Sequence, residues 1–102
     1  MKKNLKEEIQ VLINNFKLGD YNLVLKKASL LVNKYPKNDF LWNLSGLSFQ
    51  QIGDHKNAIT SFQNALNSNQ NNFSAKNNLS IFFKNIFNYS KAIELLTELI
   101  KK

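Results

Sequence analysis

The chain has 102 residues, 43% of them hydrophobic, with one proline and three glycines; that is enough for one folded domain, too apolar for a disordered segment, and too poor in turn residues for many short strands. It has no cysteine, which excludes disulfides and thiolate metal sites and fits a reducing, cytoplasmic setting. Its net charge of +7 comes from lysines spread along the whole chain without a dense block, so the charge reads as a solvated surface rather than a nucleic-acid or membrane patch.

In chain order, Met1 to Glu8 carries no apolar run after its lysines and does not read as a signal peptide. Asn4 with Glu7 three residues on reads as a capping box, opening a helix near 5–17. Gly19-Asp20 separates it from a second helix near 21–34. Pro36 followed by Asn38-Asp39 marks the start of a third, near 39–52, in which Trp42, Phe49 and Ile52 recur at helical spacing. Gly53 can take the left-handed conformation after that helix and Asp54 can cap the next, near 55–68, which carries Ala58, Ile59, Phe62, Ala65 and Leu66. A fifth helix is expected near 73–86 and a sixth near 89–101. No stretch approaches the ~20 apolar residues of a membrane span, and no membrane partner is expected.

These elements repeat. With a period of thirty-four, Asp54 falls on Asn88, Ala58 on Ala92, Ile59 on Ile93, Phe62 on Leu96 and Ala65 on Leu99. One period earlier, Gly53-Asp54-His55 falls on Gly19-Asp20-Tyr21, and Phe62 on Ala28. The central unit contains Trp42, Gly46, Phe49, Gly53-Asp54, Ala58, Phe62 and Ala65 at spacings that resemble the tetratricopeptide repeat (TPR), and the resemblance covers Leu5 to Lys102. Small residues, Gly46 and Ala58, stand where two helices must approach closely; Trp42 and Phe62 supply bulk where they diverge. Departures are Ser45 for the usual leucine, Gln70 for the closing proline, Phe87 for the turn glycine, and Glu8 and Leu12 at the tryptophan and small-residue positions of the first unit. The resemblance implies an all-α fold: three tandem helix-turn-helix units, about 5–38, 39–72 and 73–102, six antiparallel helices stacked in a right-handed superhelical arc.

Nothing in the chain converges on catalysis. His55 is the only histidine and holds the repeat position of Tyr21 and Tyr89, which reads as packing. One histidine without cysteine assembles no ordinary zinc site, and no glycine-rich loop can cradle phosphate. A Ser–His–Asp arrangement would need Asp54 and His55 to converge, and sequence neighbours on a turn diverge. No enzyme activity, cofactor or metal is expected. The many phenylalanines fall mostly on core positions and there is no arginine, so no nucleic-acid partner is expected.

The resemblance also implies a working surface, since the first helix of each unit lines an inner wall that commonly holds an extended peptide. On this chain the candidate groove residues are Ile13, Lys17, Asn43, Leu47, Gln50, Asn77, Ile81 and Lys84. Ile13, Leu47 and Ile81 recur at one repeat position and would form an apolar floor, while the amides can read a peptide backbone. The clamp of lysine, asparagine and arginine by which some members of that family hold acidic chaperone tails is not expected, because its positions hold Ile9, Ile13, Leu44, Ser74 and Asn78. A second candidate surface is a self-association face on the third unit, formed by Phe82, Phe83, Phe87, Leu96 and Ile100, which would pair one copy with another in a homodimer. The expected function is a protein-interaction scaffold with a protein or peptide partner. The alternatives are an N-terminal accessory segment of a larger glycosyltransferase- or sulfotransferase-like enzyme, and a self-assembling structural module.

Overall fold

The helices start where short polar side chains can satisfy the free N–H groups of a first turn. Glu7 N–H donates to Asn4 Oδ1 at 2.8 Å, opening α1 (Leu5–Lys17). Leu41 N–H donates to Asn38 Oδ1 at 3.0 Å at the head of α3 (Asp39–Gln51), and Asn57 N–H to Asp54 Oδ1 at 3.3 Å at the head of α4 (His55–Ser68). Between them α2 spans Tyr21–Lys34. The computed structural model describes residues 3–101, and side chains as far as residue 98. It is all-helical, with no strand among the described residues.

Two reversals share one geometry. Gly19 and Gly53 both sit at φ 82°. Gly19 N–H donates to the Phe16 carbonyl and Asp20 N–H to that of Asn15; thirty-four residues on, Gly53 N–H donates to Gln50 and Asp54 N–H to Phe49. An L side chain at that φ is strained, so glycine is required at both positions.

The six expected helices are five. The segments expected as the fifth and sixth form a single helix, α5, over Phe73–Lys101. Phe87 stands where the two earlier hairpins have glycine, and no non-glycine residue has positive φ among the described residues. Bending the chain there would place a bulky residue in the left-handed region at a cost of roughly 1–2 kcal/mol, and the helix runs straight instead. At about 1.5 Å per residue its 29 residues span about 43 Å. The chain accordingly measures 68 × 28 × 18 Å, with a radius of gyration of 16.6 Å against about 13 Å for a compact domain of this length.

The core lies between the first four helices. Leu12, Val24, Ala28, Leu31, Leu41 and Leu44 form one buried cluster, flanked by Leu5, Ile9, Phe16 and Val32. The central helix α3 is covered on most sides and is therefore rich in small residues. Its buried Ser45 and Ser48 donate their hydroxyls to the Leu41 and Leu44 carbonyls, both at 2.9 Å, so neither carries an unpaired polar group into the interior. α3 and α4 approach closely at Gly46 and Phe62. A Cβ built on Gly46 would stand 2.5 Å from Cε1 of Phe62, whose ring is fully buried. The turn into α5 is tied down by Asp39, whose Oδ2 accepts from Asn69 Nδ2 at 3.2 Å and from Asn72 Nδ2 at 2.7 Å. Asn72 in turn caps α5, its Oδ1 accepting from Ala75 N–H.

Alanine in place of a mid-helix glycine ordinarily gains about 1 kcal/mol, whereas overpacking a filled core costs about 1–3 kcal/mol. Gly46→Ala is therefore expected to lower stability by about 1 kcal/mol in urea unfolding. The loss should shrink in a Phe62→Leu background. A Gly46→Ala chain more stable than wild type would contradict the close approach.

Candidate functional site

The odd-numbered helices carry the residues expected to form a groove. Ile13 on α1 and Leu47 on α3 are half-buried, and Ile81 on α5 is exposed, so the recurring aliphatic position reaches solvent on all three helices. Lys17, Asn77 and Lys84 are exposed and Gln50 is half-buried. Asn43 departs from the expected role. It is buried, and its Oδ1 accepts from Asn78 Nδ2 at 3.1 Å across the α3–α5 contact. Its carbonyl is thus engaged in joining two helices. Asn78 is tied up by the same bond.

The α5 residues expected as a self-association face divide. Phe82 is only 3% exposed, and its ring packs against His55 on α4 and against Phe83, with centroids 5.2 and 5.9 Å apart. Phe82 is therefore core and drops out of the expected face. Phe83, Phe87 and Leu96 are all at least half exposed. The side chain of Ile100 lies outside the described residues.

The reason for the division is a stripe that the helix carries along its length. Ala75, Leu79, Phe82, Ile86, Tyr89, Ile93, Leu96 and Ile100 follow one another at alternating steps of four and three, the repeat by which one helix packs along another. As far as Phe82 the stripe is covered: Ala75 and Phe82 are buried and Leu79 is half-buried. Beyond it every residue from Phe83 to Glu98 is exposed. The stripe continues unchanged past the end of its intrachain partner.

The features that a catalytic site would draw on are otherwise engaged. Asp54 accepts from both N–H and Nδ2 of Asn57, the latter at 2.8 Å, and so serves as a helix cap. His55 lies with its ring on Phe82. Among the described residues no three His, Asp or Glu side chains gather into a metal-sized group, and no helix is long and apolar enough to cross a membrane.

A cleft of about 350 Å³ between α1 and α2 was not legible in the sequence. Val11, Leu12, Leu30 and Leu31 form its floor, with Lys3, Lys27, Lys34 and Glu8 at the rim. Its residues sit at no common repeat position, so periodicity carried no signal for it. The stripe on α5 did carry a signal, in the four-three spacing itself.

No family model matches this chain, and no curated protein matches it.

The two amides separate structural from exposed roles. Asn43→Ala strands the Asn78 amide at a helix contact and is expected to cost about 1–2 kcal/mol of stability. Asn77→Ala, on the exposed side, should stay within about 0.5 kcal/mol of wild type. Equal effects in thermal or urea unfolding would contradict this assignment.

Proposed function

We propose that this chain is a non-catalytic protein-interaction scaffold of the tetratricopeptide type, holding an extended peptide against the common face of α1, α3 and α5. The observation that carries the reading is the recurrence of Ile13, Leu47 and Ile81 at one repeat position, each reaching solvent on a different odd-numbered helix. Three aliphatic side chains at one position on successive helices make a row suited to alternate side chains of an extended strand. The amides and lysines beside them, half-buried Gln50 and exposed Asn77, Lys17 and Lys84, supply donors for a peptide backbone and its carboxylates. The repeated turn bonds at Gly19 and Gly53 support the repeat reading, because the same pair of hydrogen bonds recurs at the same offset. The third unit is an open form of that repeat, its two helices merged in α5.

A non-catalytic role is supported by where the polar groups are used. Asp54 caps α4, Asp39 ties the α4–α5 turn, and the one histidine lies against Phe82.

The test is selection of extended twelve-residue peptides from a displayed library, followed by anisotropy titration with the selected sequences. Ile13→Glu with Ile81→Glu is expected to weaken binding at least tenfold, which is about 1.4 kcal/mol, with helical circular dichroism retained. Selected peptides that bind the double variant as tightly as wild type would contradict the groove.

A further inference from the structure

The first two hairpins share one backbone design and differ in what stands between their helices. Lys3, Glu8, Leu30 and Lys34 line the cleft between α1 and α2. The residues thirty-four positions on, Lys37, Trp42, Asn64 and Ser68, line the equivalent opening between α3 and α4. Position is kept and residue type is changed, a difference that spacing alone does not report. In the second unit an indole stands at the opening, held where Trp42 Nε1 donates to the Pro36 carbonyl at 2.8 Å, and its neighbours on α4 are polar. The deeper residues there, Ser45, Gly46 and Ala65, are buried and line no part of it. In the first unit the Glu8 carboxylate takes the indole's position, and the counterparts of those deeper residues, Val11, Leu12 and Leu31, line the cleft as an apolar floor. Leu30, 65% exposed, extends that floor where α4 has Asn64. Apolar surface held open to water favours an apolar occupant.

We infer that this cleft binds a medium-chain carboxylate, with the alkyl chain on Val11, Leu12, Leu30 and Leu31 and the carboxylate between Lys3 and Lys34. Size, charge and topology carry this ligand. A cavity of about 150 Å³ holds benzene, so in proportion the 350 Å³ cleft holds roughly fourteen heavy atoms, the number in dodecanoate. At the rim three ammonium groups, on Lys3, Lys27 and Lys34, outnumber the one carboxylate of Glu8, so the site attracts an anion. The reversal at Gly19 lays the end of α2 beside the start of α1. Lys3 and Lys34 therefore share the open end of the hairpin, and the apolar floor runs inward from them. A ligand with one anionic end and one apolar chain matches that order.

The cleft does not rest on the peptide groove, whose α1 residues, Ile13 and Lys17, lie outside it. The experiment is calorimetric titration of the 102-residue chain with dodecanoate below its micelle concentration, in parallel with dodecyltrimethylammonium. Saturable one-to-one binding of dodecanoate is expected, with a Kd of roughly 1 mM or tighter for a ligand of about fourteen heavy atoms. The cationic amphiphile, with the same chain, should bind at least about fivefold more weakly. Lys3→Gln with Lys34→Gln should weaken dodecanoate about two- to fivefold. Glu8→Trp gives the first unit the indole of the second and should weaken it at least about tenfold, with helical circular dichroism retained. The comparison of the two amphiphiles uses the native chain and holds whether or not that variant folds. No saturable binding at about 5 mM dodecanoate, equal affinity for the two amphiphiles, or unchanged affinity in the double lysine variant would each overturn the proposal. So would a folded Glu8→Trp chain that binds as wild type does, which would place the ligand elsewhere, as on the uncovered stripe of α5.

Discussion

The architecture depends on one backbone constraint, the left-handed turn that only glycine enters without strain. Gly19 and Gly53 take φ 82° and let α1 fold against α2 and α3 against α4. Each turn repeats the same two backbone hydrogen bonds, so the hairpins are copies in geometry as well as in sequence. Where the third copy of that turn falls, Phe87 occupies the position, and the chain continues as helix. The last two segments accordingly form a single 29-residue helix.

Packing follows from that constraint. The hairpin at Gly53 brings α4 onto α3 closely enough that Phe62 occupies the space a side chain at Gly46 would need. Burial of an aromatic ring against bare backbone is among the larger apolar contributions such a small core can make, and it holds the middle of the molecule. The connections between hairpins use different means: Trp42 Nε1 donates to the Pro36 carbonyl at 2.8 Å, and Asp39 gathers Asn69 and Asn72. These tie α3 to both neighbouring turns. The rod beyond Phe82 receives no such support, and its apolar side chains stay uncovered.

Much of this was legible because it is local. Asn4, Asn38 and Asp54 cap their helices as their spacing indicates, and the first four helices end within one residue of where the pattern places them. The period of thirty-four implies a turn at Phe87, where the chain instead continues as helix. Periodicity reports which faces are apolar, not whether the backbone can turn. Phe82 and Phe83 are adjacent and equally apolar, yet about 100° of helix rotation buries one and exposes the other. Asn43 looked like a groove amide and is instead bonded to Asn78, thirty-five residues away, a pairing that local spacing does not encode. Asn15 is a further exception: its Nδ2 is buried without a partner, at the position where the next two repeats hold Phe49 and Phe83.

Function divides along the same line. The proposed groove uses Ile13, Leu47 and Ile81 on α1, α3 and α5, and the second half of α5 leaves its apolar side chains uncovered. The exposed apolar stripe beyond Phe82 depends on α5 being continuous through Phe87 and Asn88. The chain has no cysteine, so Ser80→Cys and Glu98→Cys introduce two unique spin-label sites on one helix. Pulsed dipolar spectroscopy on doubly labelled chains, diluted into unlabelled ones, reads the intrachain distance alone. Eighteen helical residues predict a separation of about 27 Å. A separation near 10 Å, as in a closed hairpin of packed helices, would contradict the straight helix on which the rest depends.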